Sequence, residues 1–466
     1  MTTTSMRVGR DSLGELQVPA DVHFGVQTMR ASQNFPISDL RFPRPFIRAM
    51  GLIKGAAAQV NMDLGLLESR LGEAIISAAN EVASGELDEH FVLDIFQTGS
   101  GTSTNMNANE VIASRANEIL GESRGATSPI HPNDHVNYGQ SSNDVIPTAM
   151  HLSGLMVIHD QLLPAIDHLQ RTLNDKADEF MPVIKTGRTH LQDATPIRLG
   201  QEFLGYASQM ELAKRRLDAP ITELQEVALG GTAVGTGINT HPEFASRVCT
   251  ILSEQLGFTV TETRHHFQAQ STIDGIVMAS GALKTIAVSI TKIANDIRWL
   301  GSGPRAGIGE IEVPAVQPGS SIMPGKVNPV IAESAAMVAA QVMGNDVTIN
   351  IAGSSGNFEL NVMLPVAAYN LLQSAEILAT TCDNFAEQCI TGLKATDRGP
   401  EMVEKGLMIG TALAPVIGYD KAAEIAKAAA KDGRTIREVA REMTDLSEEQ
   451  LDQILNPESM TEPGTG

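Results

Sequence analysis

A heptad pattern between residues 276 and 300 limits the possible folds of this chain more than any other feature of its sequence. Apolar side chains recur at every seventh position in two series offset by three residues, which are Ile276, Leu283, Ile290 and Ile297, and Ala279, Ile286, Ile293 and Leu300. An a/d pattern sustained over four repeats is typical of a helix that packs on other helices along its length. The pattern therefore predicts a long, buried helix and a fold built around such helices.

Four other segments share this helical character, so five long helices are expected, over roughly 142–174, 196–226, 268–300, 329–352 and 360–390. At about 1.5 Å per residue, such helices run roughly 35–50 Å, which is too long for a compact monomer and is typical of the core of an oligomer. We therefore expect an all-α fold with three domains, which are an N-terminal domain of helices and loops (1–138), a central bundle of five long helices (139–397) and a small C-terminal helical domain (398–466).

Shorter segments are predicted from their period and composition. FIRAMGLIKGAAAQVNMDLG and ESRLGEAIISAANEVASG predict helices in the N-terminal domain, whereas VPADVHFGVQTMRASQNFP has the character of a loop. Near the end of the chain, YDKAAEIAKAAAKDGRTIREVAREM predicts two short helices separated at a glycine. The terminal PESMTEPGTG is expected to be disordered.

The charge balance is strongly acidic, with 34 Lys and Arg residues against 55 Asp and Glu residues and a net charge of −21. A field of this sign disfavours nucleic acids and anionic membrane surfaces as partners. If the ligand is itself an anion, its site must create a positive potential locally, against the field of the whole molecule.

Cysteine usage and the N-terminal sequence bear on the compartment. Cys249, Cys382 and Cys389 form no CxxC pair, which fits a reducing cytoplasm. The N-terminal MTTTSMRVGRDSLGE lacks the apolar segment of a secretion signal, and no uninterrupted run of about 18 apolar residues is present. We therefore expect a cytoplasmic protein with neither a nucleic acid nor a membrane as its partner.

Four polar loops precede or separate the long helices and are rich in small hydrogen-bonding residues. They are TGSGTSTNMNANE (98–110), HPNDHVNYGQSSND (131–144), KTGRTHLQDATP (185–196) and GSSIMPGKVNP (319–329). Hydroxyl groups, amides and glycine-rich backbone can surround a carboxylate, and a helix N-terminus adds a favourable field for an anion. Each loop taken alone also has a structural explanation, because Ser, Thr, Asn and Asp are ordinary helix caps and turn residues.

Two other kinds of site have weaker support in these loops. His131, Asp134 and His135 include an HxxxH spacing, but no further zinc ligand is evident in the sequence. TGSGTS lacks the GK[ST] of a P-loop, and no strand–turn–helix unit surrounds it as a dinucleotide fingerprint requires. The loops fit a carboxylate better than they fit zinc or a nucleotide.

The same loops resemble those of a known family. GSSIMPGKVNP matches the signature GSSxMPxKxNP of the fumarase/aspartase superfamily, and further matches run through nearly the whole chain, at QVPADVHFGVQT, QTGSGTSTNMNANEV, HPNDHVNYGQSSND, GRTHLQDATP and GNFELNVMLPVAAYN. Within the superfamily, the chain resembles the class II fumarases, or fumarate hydratases. His190 and Ser142 distinguish it from aspartases, which typically carry Gln and Thr at these positions. An aspartate ammonia-lyase on the same scaffold is the alternative.

The resemblance implies a hydro-lyase of the tricarboxylic acid cycle, which hydrates fumarate reversibly to (S)-malate by anti addition through an aci-carboxylate intermediate. By similarity, Ser320 is the catalytic base and Lys326 supplies positive charge. His190 assists departure of the hydroxyl through a water, and Glu333 orients His190. Substrate binding is implied for Ser100, Gly101, Thr102, Ser141, Ser142, Asn143, Thr189, Ser321, Lys326, Val327 and Asn328. A second anion site is implied at His131, Pro132, Asn133 and Asp134.

Two alternative interpretations of these residues are open. Without the resemblance, Glu333 would be an ordinary acidic residue in the first turn of a helix. A non-catalytic protein that keeps the same bundle is a further alternative, although it would not require the combination of Ser320, Lys326, Asn328 and His190. No cofactor and no metal is implied, and the three scattered cysteines offer no recognisable ligand set for an Fe–S cluster.

The positions of the loops also predict how the site is assembled. Ser141–Asn143 begin the first long helix, and Thr189 and His190 follow its end. If that helix is straight, these two loops of one chain lie some 40–50 Å apart and cannot both contact one four-carbon acid. A shared site then requires loops from different subunits. This agrees with the family's homotetramer, whose sites are each assembled from three chains around a core of 20 helices.

Overall fold

The computed structural model describes residues 5–464, and most of them are helical. The α-helices are α1 (Val26–Asn34), α2 (Arg44–Asp63), α3 (Ser69–Ser84), α4 (Thr102–Ile119), α5 (Ser142–Val157), α6 (Leu163–Phe180), α7 (Leu199–Leu224), α8 (Phe244–Leu256), α9 (His266–Ser271), α10 (Asp274–Leu300), α11 (Val330–Gly353), α12 (Leu364–Phe385), α13 (Arg398–Val403), α14 (Ala414–Ile417), α15 (Tyr419–Asp432), α16 (Ile436–Met443) and α17 (Glu448–Ile454). Single π-helical turns lie at Pro132–Val136, Ile158–Leu162 and Ala386–Ile390, and short 3₁₀ helices at Asp88–His90, Leu407–Leu413 and Glu458–Thr461.

β-Structure within residues 5–464 is limited to pairs of short strands. The strands are β1 (Met6–Asp11), β2 (Gly14–Pro19), β3 (Ile184–Thr189), β4 (Gln192–Arg198), β5 (Glu226–Val227), β6 (Thr261–Glu262), β7 (Ile311–Glu312), β8 (Gly356–Asn357), β9 (Leu360–Asn361) and β10 (Lys394–Ala395). The pairs β1–β2, β3–β4, β7–β10 and β8–β9 are antiparallel, and β5–β6 is parallel. Because no pair extends into a larger sheet among the described residues, the predicted all-α class is confirmed.

The five long helical segments are also confirmed. The first continues from α5 through a π turn into α6 and so spans residues 142–180, and the last continues from α12 through a π turn to Ile390. The other three are α7, α10 and α11. Their existence follows from the apolar pattern, whereas their ends differ from the predicted ones by up to six residues because a helix end depends on a few local contacts.

Helix α10 contains the heptad pattern, and the protein buries all of its positions. Seven of the eight side chains are fully buried, and Leu300 is 5% exposed. Among the described residues, α10 is also the one helix long and apolar enough to cross a membrane by length and composition. Its burial within the protein accounts for that composition, because a helix packed on its neighbours needs the same apolar residues.

The described chain packs as two compact units. The first comprises the residues up to Pro164 together with Arg215–Thr285 and Ala340–Ala379, and the second comprises Ala165–Lys214, Ile286–Ala339 and the residues from Thr380 onward. Helices α7, α10, α11 and α12 contribute residues to both units. The three-domain division at residues 138 and 397 describes the chain differently and stays a prediction.

Helix α2 is central to the packing of the first unit. It contacts α3, α5 and α8, and its Phe46, Met50 and Ile53 are fully buried. In the second unit, α13 packs against strand β3. The C-terminal helices of that unit share an apolar cluster that includes Leu413, Ile425 and the buried residues of α16 and α17. The two short helices predicted near the C-terminus are α15 and α16.

The prediction of a loop for VPADVHFGVQTMRASQNFP is wrong in part, because α1 occupies Val26–Asn34. The N-terminus of α1 is capped by the carboxylate of Glu110, which accepts hydrogen bonds from the backbone N–H groups of Gly25, Gln27 and Thr28 at 2.9, 2.9 and 3.0 Å. A cap from a distant residue satisfies the first N–H groups of a helix as well as a local one does. The sequence around α1 therefore gives no indication of the cap that Glu110 provides.

Two further expectations need correction. KTGRTHLQDATP forms the β3–β4 hairpin rather than an irregular loop. The C-terminal residues are not disordered up to 464, because Arg198 donates hydrogen bonds to Glu458 and to the Thr461 hydroxyl, at 2.9 and 3.1 Å. Gln201 also donates to the Thr461 carbonyl at 2.8 Å. Residues 465 and 466 lie outside the described residues.

Candidate active site

The first unit holds the loop that precedes α4. Ser100 and Thr102 share a hydrogen bond between their hydroxyl groups at 2.8 Å, and Gly101 between them has φ 72°. Gly99 packs so closely on the backbone at Val362 of the same chain that a Cβ atom there would lie 1.8 Å from the Val362 carbonyl oxygen. The backbone of this loop is therefore held in one position, and both hydroxyl groups are placed at the start of α4.

The second polar loop ends at the N-terminus of α5. The Ser141 hydroxyl accepts a hydrogen bond from the Asn143 N–H at 3.2 Å, and the Asp144 carboxylate accepts one from the Ser141 N–H at 2.9 Å. This is a reciprocal capping box. Asp144 is fully buried, and burial raises the pKa of its carboxyl against the opposing effect of its backbone hydrogen bonds. The cap fixes Ser141, Ser142 and Asn143 in the first turn of the helix.

A hydrogen bond joins these two loops. Asn105, in the second turn of α4, donates from Nδ2 to the Ser142 hydroxyl at 3.0 Å. The structure thus brings the predicted residues Ser100–Thr102 and Ser141–Asn143 to one region of the first unit.

A fifth loop of the same kind was not predicted as part of the site. Asp144 also accepts hydrogen bonds from the N–H groups of Gly230 and Thr232, at 3.1 and 2.9 Å. Asn143 donates to the Ala233 carbonyl at 2.8 Å. The local sequence LGGTAVGTGINT has the same glycine and hydroxyl content as the other four loops. The glycine and hydroxyl content of this segment is the sequence feature that could have predicted it as part of the site.

The predicted second anion site lies at a π turn in the first unit. His131 caps this turn, since its Nδ1 accepts hydrogen bonds from the N–H groups of Asn133 and Asp134 at 3.3 Å each. Among the described residues, no group of three or more His, Cys, Asp or Glu side chains is arranged to hold a metal ion.

Lys54, in α2, contacts the second polar loop (131–144) and has no exposed surface. Its ammonium group donates to two neutral side-chain oxygens, those of Asn137 at 3.0 Å and Gln140 at 2.9 Å. Burial lowers the pKa of Lys54 to about 7, with a smaller opposing effect from the Asp144 carboxylate. Burial of a charged amine whose hydrogen-bond partners are all neutral destabilises the folded state.

We expect the free energy of unfolding of the wild-type protein to increase by about 2 kcal/mol more than that of Lys54→Met between pH 7 and pH 9. The folded pKa of about 7 is below the ordinary 10.5 of the unfolded chain, so the unfolded state binds more protons throughout this range. The destabilisation is complete below pH 7 and is relieved as the pH rises towards 10.5. Urea unfolding at constant protein concentration would measure it, and parallel curves for the two proteins would contradict the expectation.

In the second unit, the β3–β4 hairpin presents Thr189 and His190. His190 and Leu191 form its turn with φ of 56° and 58°, in the left-handed region that non-glycine residues rarely adopt. Thr189 and His190 are both exposed. The surroundings of the hairpin must stabilise this turn, since two such residues in sequence are unfavourable by themselves.

A buried ionic cluster holds the base of the hairpin. Arg188 donates two hydrogen bonds to the Glu310 carboxylate, at 3.0 and 2.7 Å, and the Lys185 ammonium lies 3.2 Å from the same carboxylate. Lys185 also donates to Glu202 at 3.1 Å. Glu310 and Lys185 are 2% and 1% exposed. The hydrogen bonds to Glu310 raise the pKa of Arg188, whereas burial raises that of Glu202.

Replacing Glu310 by Leu is expected to lower the free energy of unfolding by about 3 kcal/mol, because Arg188 and Lys185 would lose a buried counter-charge. Thermal or urea unfolding would measure this loss. The matched control is Lys421→Met, which removes one partner of the exposed Lys421–Glu424 pair and should change stability little. Equal effects of the two substitutions would contradict a structural role for the cluster.

The loop GSSIMPGKVNP closes on itself in the second unit. The Gly319 N–H donates to the Lys326 carbonyl at 2.9 Å, and the Asn328 amide donates to the Gly319 carbonyl. A Cβ atom at Gly319 would lie 2.2 Å from the Lys326 carbonyl oxygen, so a side chain would prevent this closure. The Ser320 hydroxyl oxygen accepts hydrogen bonds from the N–H groups of Ile322 and Met323, at 3.2 and 3.0 Å. These donors would stabilise negative charge on that oxygen.

Other predicted residues of the second unit make few contacts in one chain. The side chains of His190, Lys326 and Glu333 have no hydrogen-bond or ion-pair partner among the described residues. Ser321, Lys326 and Val327 are exposed. The predicted orientation of His190 by Glu333 is therefore not made within a single chain.

The candidate residues divide between the two units. The first unit contains Ser100, Gly101, Thr102, His131, Pro132, Asn133, Asp134, Ser141, Ser142 and Asn143. The second contains Thr189, His190, Ser320, Ser321, Lys326, Val327, Asn328 and Glu333. Each unit thus holds two of the four polar loops singled out in the sequence.

Comparisons with known proteins agree with this set of loops. The family model described as "Lyase" matches residues 14–344, and the model described as "Fumarase C C-terminus" matches residues 409–462. The chain is 55% identical over 459 residues to the class II fumarate hydratase of Halobacterium salinarum, covering 98% of this chain and 97% of that protein. It is 51% identical over 458 residues to that of Methylorubrum extorquens, with the same coverage.

A solved structure shows the same fold. The class II fumarase of Schistosoma mansoni superposes with a TM-score of 0.95 at 41% identity, covering 98% of this chain and 99% of that one. The fold and the loops are those of a lyase, and the protein is an enzyme of the hydro-lyase class. The chain belongs to the class II fumarate hydratase family.

Proposed function

We propose that this protein catalyses the reversible hydration of fumarate to (S)-malate. The observation that carries the proposal is the Ser320 hydroxyl oxygen, which accepts two backbone hydrogen bonds inside a loop that matches the superfamily signature. An ordinary serine is a poor base, and N–H groups directed at its oxygen favour the alkoxide that proton abstraction requires.

In the dehydration direction, the Ser320 alkoxide removes a proton from the carbon next to one carboxylate of malate. The electron pair of that C–H bond moves into the carboxylate, which becomes an aci-carboxylate with about two negative charges. Expulsion of the hydroxyl from the neighbouring carbon, with a proton supplied through His190 and a water, then forms the double bond of fumarate. Directed donors that stabilise the intermediate provide the largest contribution to such a reaction.

The donors in the proposal come from both units. Lys326 and Asn328 hold the carboxylate that gains charge. Neutral hydrogen bonds from the first-unit loops and from Thr189 bind the substrate carboxylates, with further contacts from the backbone of Gly101, Ser321 and Val327. The high content of neutral donors agrees with the need for positive potential in a protein of net charge −21.

We also propose a homotetramer in which each site is assembled from three chains. The support is that the candidate residues lie in two separate units and that His190 and Glu333 have no polar side-chain partner among the described residues of one chain. Glu333 would then orient His190 across a subunit contact. A cytoplasmic location agrees with three cysteines that are unpaired and buried.

The test uses the purified protein with L-malate and, separately, with L-aspartate, while fumarate is followed by its ultraviolet absorbance. Product from malate alone is the expected result. Product from aspartate alone would instead establish the ammonia-lyase alternative. A protein that forms fumarate from neither would be a non-catalytic member of the family.

A further inference from the structure

Lys54 has no carboxylate within hydrogen-bond distance, and in its protonated form it can only donate hydrogen bonds. The Asn137 side chain must therefore present its oxygen, Oδ1, to the Lys54 Nζ at 3.0 Å. Gln140 must do the same at 2.9 Å. The orientation of these two amides follows from the chemistry of lysine, because an amide NH₂ group facing the ammonium would be repelled.

The Asn137 oxygen also receives two further donors. The Asn105 Nδ2 lies 3.2 Å from it, and the Asn109 Nδ2 lies 3.1 Å from it. Because Asn137 Oδ1 is an acceptor, the groups of Asn105 and Asn109 that face it must be their NH₂ groups. Lys54 thus favours this orientation of Asn105 through one intermediate side chain.

The same NH₂ group of Asn105 lies 3.0 Å from the Ser142 hydroxyl oxygen. Ser142 is therefore an acceptor in this contact, and its own O–H has no acceptor among the described residues. Had Asn105 presented its oxygen instead, the Ser142 proton would be directed into the protein. In the observed orientation, that proton is available to a ligand at the N-terminus of α5.

This orientation is unfavourable for the amides themselves. The Oδ1 atoms of Asn105 and Asn109 are buried and have no hydrogen-bond partner among the described residues. Each unpaired buried acceptor destabilises the fold. The Lys54 cation holds the network in this direction together with the Asn137 NH₂ group, which donates to the Gln140 carbonyl at 3.1 Å. Removal of the cation takes away the charged donor and should weaken this orientation of the amides.

We propose that Lys54 is a positioning residue, which directs the Ser142 hydroxyl to donate a hydrogen bond to a substrate carboxylate. This inference rests on the proposed function, in which Ser142 binds the dicarboxylate. A purely structural role, in which Lys54 only ties α2 to the loop at 137–140, would leave substrate affinity unchanged once folding is accounted for.

The test is a double-mutant cycle with Lys54→Met, Ser142→Ala and the double variant, in which KM and kcat for malate are measured. Loss of a hydrogen bond to a charged group predicts a KM increase of about 10- to 100-fold in Lys54→Met, with a much smaller change in kcat. Since Lys54 acts through Ser142, the double variant should match Ser142→Ala alone. Additive effects, or an unchanged KM in a folded Lys54→Met protein, would overturn the proposal.

The matched control is Lys176→Met in the second unit. Lys176 is also buried. It pairs with Glu179 at 2.7 Å and donates to the carbonyls of Thr391 and Leu393, at 3.1 and 3.0 Å. This variant should be destabilised while its KM stays at the wild-type value. A KM increase equal to that of Lys54→Met would assign the effect to general destabilisation and overturn the proposal.

Asn105→Asp provides a second route if Lys54→Met does not fold. A carboxylate at this position accepts the Ser142 proton, so KM should increase by a similar factor and should not increase further in combination with Ser142→Ala. An unchanged KM would overturn the proposal. Titration calorimetry with succinate, an unreactive dicarboxylate, gives the same comparison for binding. It would still test Lys54 if the wild-type protein formed no fumarate from malate, a result that would count against the proposed function alone.

Discussion

Replacing Ser320 by Ala is expected to lower kcat by about 10³- to 10⁴-fold while the oligomer stays intact. The substitution removes the proposed base and leaves the N–H groups of Ile322 and Met323 without the oxygen to which they donate. The loop itself should stay closed, because its closure depends on Gly319 and Asn328 rather than on the hydroxyl. Fumarate formation from malate measures the loss, and gel filtration measures the oligomer.

The control for this substitution is Ser302→Ala. The Ser302 hydroxyl also lies in the second unit and also accepts a backbone N–H, that of Ile308 at 3.0 Å, but it is not among the candidate site residues. This variant should keep near-normal turnover. Near-normal turnover in Ser320→Ala would show that another group is the base. If gel filtration shows that the oligomer is lost, the fall in kcat reflects loss of assembly rather than loss of the base.

Activity should reappear when two inactive variants, Ser320→Ala and His190→Asn, are combined in one oligomer. If the serine and the histidine of each site come from different chains, random mixing leaves each of them intact with a chance of one half. About a quarter of the sites then have both residues, and about a quarter of the wild-type activity is expected. Co-expression with two different affinity tags, followed by purification on both, provides the mixed oligomers.

The controls are the two variants, each expressed alone with both tags. Both controls should remain inactive. If both residues of a site came from the same chain, every chain in the mixture would lack one of them. The mixed oligomer would then be as inactive as its parents, and the shared-site proposal would be wrong. The experiment therefore tests the assembly of the site independently of its detailed chemistry.

The long helices were predictable because their signal is repeated many times along the chain. Each heptad of α10 adds an independent apolar position, and all of these positions are buried. In contrast, α1 depends on one carboxylate, that of Glu110, which lies 85 residues from Gly25. The order of the C-terminal residues depends similarly on Arg198, which lies 260 residues from Glu458. Single contacts between distant residues leave no periodic pattern in the local sequence.

The polar loops of the candidate site were predictable for a related reason. Their glycine and hydroxyl residues are dense enough to distinguish them from ordinary turns, and the closure at Gly319 shows why a glycine is needed there. The supporting residues were not predictable from local sequence. Lys54 and Glu310 lie in segments of unremarkable composition, and Lys185 begins a polar loop whose sequence does not indicate its burial. The importance of all three depends on partners that only the folded chain brings near.

In the β3–β4 hairpin, the residues that hold the structure and the residue proposed for the chemistry lie in different parts of the segment. Its stem is fixed by Lys185, Arg188 and the buried carboxylate of Glu310, whereas its tip has no polar side-chain contact at His190 within the described chain. A substitution at position 190 therefore removes no polar contact on which the folding of a single chain depends. Under the proposed function, the chemistry at the tip of the hairpin can change in evolution while the fold of each chain is kept.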